Sequence, residues 1–314
     1  MKNIFINLKR FDVGSRFGGV CPIDDPAAWI EFVIDRSMEL GLGANEDLAI
    51  VYLLPEGLVS PAIRRLAKNL PSRQKAIAIG CQGVHWDDVK PGKNFGAFTS
   101  LQPAAAMVNL GCTWAILGHS EERQAKFQFL ESYDPSISTE PNRSARALST
   151  VSQIIRKEIR CAVGAGINVL VCIGETQKEH GDGTPTQVME RIEKILYQQL
   201  LDTLTGVSIP EERKLVIGYE PIWAIGPGKT PPGKEYITFV SSFIKQKVKE
   251  LCDYDVSVVY GGGLKEENAA MLSTISSVDG GLVALTRFTD PIGFYVEDLN
   301  AIISKYLYNR EVTK

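Results

Sequence analysis

The segment Lys214-Leu215-Val216-Ile217-Gly218-Tyr219-Glu220-Pro221-Ile222-Trp223-Ala224-Ile225-Gly226-Pro227-Gly228-Lys229-Thr230 takes an apolar, β-branched run straight into a carboxylate. An apolar loop flanked by proline and glycine follows. A short run with no polar alternation reads as a strand buried on both faces, as parallel sheets require. The same arrangement recurs along the chain: Asn7 and Lys9 close the first such run, His119 follows Trp114-Ala115-Ile116-Leu117, and Gly261-Gly262-Gly263 follows Tyr260.

Eight runs of this kind are present, at 3–7, 48–54, 76–81, 114–117, 168–173, 214–219, 256–260 and 281–285. Segments of helical period separate them, among them 25–40, 60–69, 143–165, 187–204, 234–251 and 265–272. Asp290-Pro291 reads as an N-cap with proline at the first helical position, opening a last helix that runs to about Leu307. Connections 10–24, 124–142 and 179–184 are long, and the second, with Pro135, Ser136, Ser138 and Pro141, reads as an exposed loop. Eight βα units form either an open doubly wound sheet or a closed barrel, and periodicity alone does not separate the two. Reactive residues gathered at the carboxyl ends of several different strands favour the α/β fold of a closed (β/α)8 barrel. At 314 residues such a barrel is expected to occupy the whole chain, 1–314, as a single domain with lengthened loops.

Composition narrows the function classes. With 44% hydrophobic and 23% charged residues the chain can bury a sizeable core, and a net charge of −3 without basic clusters argues against nucleic acid or a polybasic membrane contact. Six scattered cysteines lack any C-x-x-C spacing, no uncharged run approaches a membrane span, and the N-terminal apolar run is too short for a signal peptide. A reduced, cytoplasmic setting is expected.

Four places carry chemistry. Glu220 ends a strand and is followed by a segment able to fold over it, and excluding water raises a carboxylate's basicity; alternatively it is a buried structural carboxylate. His119 lies where a strand passes into a helix, so that backbone N–H groups aimed at its ring would hold it neutral and able to donate to a carbonyl oxygen. A structural histidine fits such a turn equally. Asn7 and Lys9 would share one strand face by the two-residue period, the lysine facing an anion, although a solvated strand-end lysine is the plainer reading. The glycines after the seventh and eighth strands, Gly261-Gly262-Gly263 and Gly280-Gly281, let backbone N–H groups approach a phosphate or simply make tight turns. His85, His119 and His180 show no metal-ligand spacing, so no metal site is expected.

In combination these places resemble triosephosphate isomerases. Residues 219–230 are similar to the family's base-plus-lid segment, 114–121 to its electrophile segment, and Gly96-Ala97-Phe98-Thr99 to its dimer-contact loop. Cys172-Ile173-Gly174-Glu175 and Tyr260-Gly261-Gly262 also match, in family order, so the resemblance spans nearly the whole chain. It implies a TIM barrel and a cytoplasmic homodimer of carbohydrate metabolism, in glycolysis and gluconeogenesis, with no metal or organic cofactor. It implies interconversion of dihydroxyacetone phosphate and glyceraldehyde 3-phosphate through an enediol(ate). In it Glu220 would be the base, His119 the neutral electrophile, Lys9 the electrostatic partner, Asn7 its polar neighbour, Glu121 a support for Lys9, and 221–230 the closing lid. Backbone N–H groups of Gly226, Gly263, Ala284 and Leu285 would hold the phosphate.

The departures are specific. Leu8 stands where the family has Trp, Gly263 where it has Ser, and Ala284-Leu285 where it has a glycine pair. Arg287 follows at once and is expected to meet the phosphate bidentately. Leu101 and Glu122 replace a Glu and an Arg that pair between subunits in the family, and the first connection, with Phe11, Arg16, Phe17, Gly18 and Gly19, is longer than usual. The altered loop and phosphate end leave two other functions open, an isomerase of a longer ketose phosphate (a tetrulose phosphate) and a non-catalytic sugar-phosphate-binding barrel.

Overall fold

A computed structural model describes residues 2–226 and 228–311. Pro227, within the expected lid, and the ends of the 1–314 span (Met1 and 312–314) lie outside the described residues.

Eight strands alternate with helices. The strands are β1 (Lys2–Asn7), β2 (Leu48–Leu54), β3 (Ile77–Cys81), β4 (Trp114–Leu117), β5 (Asn168–Ile173), β6 (Leu215–Tyr219), β7 (Ser257–Tyr260) and β8 (Gly280–Val283). The first six helices are α1 (Pro26–Glu39), α2 (Glu56–Leu66), α3 (Pro71–Gln74), α4 (Ala104–Leu110), α5 (Ser120–Tyr133) and α6 (Pro141–Ala165). Then come α7 (Gln177–His180), α8 (Pro185–Leu204), α9 (Lys234–Cys252), α10 (Glu266–Ser273) and α11 (Val296–Glu311). The strands close in sequence order, β1 through β8, into a parallel (β/α)8 barrel. No helix among the described residues is long and apolar enough to cross a membrane.

The chain groups into two compact units, Met1–Gln82 with Ala106–Ala115 and Val259–Lys314, and Gly83–Ala105 with Ile116–Val258. In the first, every residue of β1 is buried; it pairs with β2 in the register Ile4↔Ile50 and with β8 as Phe5↔Leu282. Phe5 meets Trp114 edge-on at 5.0 Å, and the Tyr52 hydroxyl lies 2.7 Å from Ser37 Oγ, satisfying two polar atoms inside an apolar layer. Helix α1 starts where Asp25 accepts from the N–H groups of Ala27 and Ala28 with Pro26 at the first position, and it buries Trp29, Ile30, Val33 and Ile34.

In the second unit β5 pairs with β6 from Val169↔Leu215 to Ile173↔Tyr219. Helix α6 packs on α8 and α8 on α9, and Ile155, Ile159, Ile192, Leu196, Ile244 and Val248 of these helices are buried. Capping boxes start α7 at Thr176/Glu179 and α8 at Thr184/Gln187.

Two expectations are corrected. Most of 124–142 is not a loop: α5 continues to Tyr133 and a 3-10 turn covers Pro135–Ser138. Helix α5 buries none of its residues, so it lacks the apolar stripe by which a helix is read. The last helix does not begin at Asp290-Pro291, because residues 286–293 fold back on themselves, with Arg287 and Gly293 exchanging backbone hydrogen bonds of 3.1 and 3.2 Å, and α11 starts at Val296. Aspartate followed by proline serves a turn as well as a helix start.

Candidate active site

Glu220 directly follows β6, and its N–H donates to Ile173 O at 2.8 Å, extending the ladder one residue beyond the strand. Only 2% of the residue is exposed. Its Oε2 accepts from Ser120 N at 3.0 Å and its Oε1 from Ser120 Oγ at 3.3 Å. Burial dominates its electrostatics and pushes the carboxyl above its ordinary value, against the opposing pull of His119 and the Ser120 donors. The result is a carboxylate more basic than one in water. Close packing fixes its backbone, since a Cβ on Gly174 would lie 1.8 Å from Glu220 O.

His119 caps the N-terminus of α5. Its Nδ1 accepts from Glu121 N at 3.3 Å, which assigns the ring proton to Nε2, and Nε2 lies 3.2 Å from Glu220 Oε1. Glu121 points outward, 61% of its side chain exposed, with Oε2 3.7 Å from Nδ1. Gly118, just before the histidine, has φ +73°, and its carbonyl accepts from Arg123 Nε at 2.8 Å.

The sequence reading assigned no role to the hub at Glu175. This fully buried carboxylate takes three donors on Oε1: Trp223 Nε1 at 2.6 Å, Tyr219 OH at 2.8 Å and Tyr236 OH at 3.0 Å. Its Oε2 has no hydrogen-bond partner among the described residues. Burial raises the Glu175 carboxyl, with the three donors opposing. His180 lies against Trp223 with ring centroids 4.2 Å apart and the planes tilted by 42°, and Tyr236 meets the indole edge-on at 5.8 Å. Trp223 belongs to the expected lid, in a 3-10 turn (Ile222–Ala224), and Ile222 N donates to Glu175 O at 3.1 Å. Gly226, further along the lid, is exposed with φ +118°.

In the other unit, Asn7 ends β1 and is buried. Lys9 lies past the end of the strand at φ +28°, so the two-residue period does not set its direction. Its N–H donates to Asn7 Oδ1 at 3.1 Å, and Gln82, a residue with no motif to announce it, donates from Nε2 to Asn7 Oδ1, Lys9 O and Leu53 O at 3.1, 2.9 and 3.2 Å. Gly263 has φ +92°, its carbonyl held by Asn268 Nδ2 at 2.9 Å. Ala284 and Leu285 are half-buried just after β8. The Arg287 guanidinium is engaged by Asp298, with Nη2 3.1 Å from each carboxylate oxygen, and lies 3.9 Å over the Tyr295 ring. That pairing opposes its expected part as a phosphate ligand.

Within one unit, then, Glu220, His119 and Glu121 come together, and within the other Asn7 and Lys9.

A family model described as triosephosphate isomerase matches residues 44–289. The triosephosphate isomerase of Acetivibrio thermocellus is 29% identical over 262 residues, 82% of this chain and 86% of that protein. That of Azoarcus sp. is 33% identical over 189 residues, 60% of this chain and 66% of that protein. The crystal structure of triosephosphate isomerase from Bartonella henselae superposes with a TM-score of 0.64 at 21% identity, covering 98% of this chain and 99% of that one, a likeness of fold. With a match to the family model over most of its length, the chain belongs to the triosephosphate isomerase family of aldose–ketose isomerases.

Proposed function

We propose that the chain interconverts dihydroxyacetone phosphate and glyceraldehyde 3-phosphate, with Glu220 as the base and His119 as the electrophile. The observation that carries this reading is a buried carboxylate of raised basicity 3.2 Å from an imidazole Nε2 whose proton is assigned by the Glu121 N–H on the other nitrogen. Glu220 takes the proton from the carbon beside the carbonyl, and the released electron pair forms the enediol(ate) double bond as the Nε2–H of His119 stabilises the charge on oxygen. The proton on the hydroxyl oxygen passes by way of His119 Nε2 to the former carbonyl oxygen, and the protonated Glu220 returns its proton to the neighbouring carbon, so that the step balances with neither metal nor organic cofactor. A carbonyl oxygen hydrogen-bonded to Nε2 needs about 3 Å of its own. Glu220 must therefore turn away from Ser120 before substrate is seated.

Lys9 is assigned to the anionic transition state, with Asn7 holding its backbone, and Glu121 supports the site from the first turn of α5. Backbone N–H groups of Gly226, Gly263, Ala284 and Leu285 are assigned to the phosphate; Arg287 joins them only by leaving Asp298. All these residues except Glu121, Gly226 and Arg287 end a parallel strand or lie within three residues of its end, the places where such barrels assemble active sites. The closed strand order draws on both units, which supports one working domain over 1–314. A homodimer in the cytoplasm is the accompanying expectation, from family membership.

Turnover of three-carbon and four-carbon sugar phosphates tests the assignment. The three-carbon pair is expected to have the higher kcat/KM. Faster turnover of a tetrulose phosphate would replace it with the longer ketose, and no deuterium exchange beside the carbonyl of any of them would leave a binding protein.

A further inference from the structure

Glu122 stands where the family carries the arginine of an intersubunit pair, but its side chain is turned into its own subunit, 21% exposed. Both of its oxygens are used. Oε2 accepts from Gly118 N at 2.6 Å, and Oε1 accepts from Lys126 Nζ one helical turn along α5. Lys126 also reaches Glu158 Oε1 on α6 at 3.0 Å, so a single ammonium bridges carboxylates of two helices. Burial first, and the charge of Glu122 second, push the Glu158 carboxyl above its ordinary value, with Lys126 opposing.

Gly118 is the residue before His119. Its φ of +73° turns the chain from β4 into the helix, and both of its backbone polar groups are held by neighbouring residues of α5: the N–H by Glu122, the carbonyl by Arg123 at 2.8 Å. Arg123 is itself anchored, donating to Cys172 O at 2.9 Å and Ser152 Oγ at 3.0 Å. Removing Glu122 would strand a half-buried N–H and free one side of this turn. A hydrogen bond to a developing oxyanion depends on the direction of the donor, so a loosened turn affects the transition state more than the bound substrate.

We propose that Glu122 is a positioning residue for His119, holding the Gly118 peptide so that the imidazole Nε2–H is aimed at the reacting oxygen. The proposal rests on the assignment of His119 as electrophile. Glu122 performs this task within one subunit, at a position the family gives to an intersubunit contact.

Steady-state kinetics on the three-carbon substrates, together with ¹⁵N NMR of the imidazole, test it. Glu122→Ala is expected to lower kcat about tenfold or more with KM within about twofold. Glu122→Gln, whose amide oxygen still accepts from Gly118, should stay within about threefold of the parent kcat. Lys126→Met breaks the bridge to Glu158 but leaves the acceptor, so it should lower the melting temperature and not kcat. Glu122→Leu fills the same space without an acceptor and takes the place of the alanine variant if that one does not fold. The His119 ring resonances should move in the alanine or leucine variant and stay in place in the glutamine variant, a readout independent of turnover. Unchanged kcat in a folded variant lacking the acceptor overturns the proposal, as does an equal loss in Glu122→Gln or a loss confined to KM. An inactive parent protein would instead count against the assignment of function, and the NMR comparison would still judge the positioning.

Discussion

Replacing Gly174 by alanine tests whether the backbone of Glu220 is held where the chemistry needs it. The added Cβ would lie 1.8 Å from Glu220 O, 2.7 Å from Glu220 C and 3.2 Å from Glu220 Cα. Cβ atoms do not approach other heavy atoms closer than 3.0 Å, so β5 and the end of β6 must separate locally by about 1.2 Å. No rotamer change relieves a contact between backbone atoms. Nor is Gly174 free to retreat, for its N–H donates to Gln199 Oε1 at 3.0 Å and its carbonyl accepts from Gln199 Nε2 at 2.8 Å. Glu220 N is likewise tied to Ile173 O at 2.8 Å. A displacement of about 1 Å in a reacting group costs roughly 10²-fold in rate, or about 2.7 kcal/mol of barrier. Overpacking of a buried site costs a further ~1–3 kcal/mol of stability, a drop of roughly 2–5 °C in melting temperature for a protein of this size. A coupled assay of kcat/KM and a thermal melt measure the two effects separately. If Gly174→Ala kept kcat/KM within about threefold of the parent, the view that this contact fixes the base would be refuted, because the displacement predicts a loss of roughly 10²-fold.

Glu220 must be ionised to accept a proton, and burial raises its pKa, so the acid limb of kcat/KM should lie above the 4.5 of an ordinary glutamate, with activity falling as pH drops through it; a limb at or below 4.5 in the pH–rate profile contradicts the account. In stability the sign is opposite: a carboxyl raised in the folded state contributes most below its unfolded pKa, and that contribution is lost as pH rises through the folded pKa. Trp223→Phe removes the 2.6 Å donor to Glu175 and keeps the aromatic contact with His180. It should lower stability by about 1–3 kcal/mol and speed amide exchange across residues 222–226; unchanged exchange there would show that the indole N–H does not anchor the lid.

The strands are legible because each is a short run of largely buried residues between segments of helical period. Leu48–Leu54, Trp114–Leu117 and Asn168–Ile173 have the ends the sequence predicts, whereas β8 stops at Val283, two residues short of the predicted Leu285, as the chain turns toward the 286–293 fold-back. Helix α5 was read only at its start, because its remaining turns bury nothing and leave no period to follow. Glu220 and His119 stand out because each lies within two residues of its strand's end, and position after a strand is a local feature of sequence. Glu175 is different in kind. Its donors lie 44, 48 and 61 residues away, spacings that correspond to no secondary-structure period. Gln82 is hidden for the same reason, holding residues 73 and 75 positions earlier from the end of β3. Lys9 was placed on the right segment with the wrong geometry, since a φ of +28° takes it off the strand and no lysine announces that in its sequence.

The hub and the base form one mechanical system, and the reason is covalent. Glu220 is joined through Pro221 to Ile222 and Trp223, and both of those residues are tied to Glu175, by Ile222 N at 3.1 Å and Trp223 Nε1 at 2.6 Å. Proline fixes its own φ, here at −71°, so little of a movement in the indole can be absorbed between the lid and the base. At the other end the Glu220 carboxylate is satisfied by Ser120, and in the proposed reaction it would give up those two donors on turning toward substrate. Two sets of hydrogen bonds therefore hold the same short segment, one at the lid and one at the base. On the proposed assignment, a substrate that engages 221–230 through its phosphate and Glu220 through its reacting carbon would replace both sets together, while one lacking the phosphate would leave the Glu175 set unopposed. Binding energy from the non-reacting end of the molecule would in this way be converted into placement of the carboxylate, raising kcat rather than merely lowering KM.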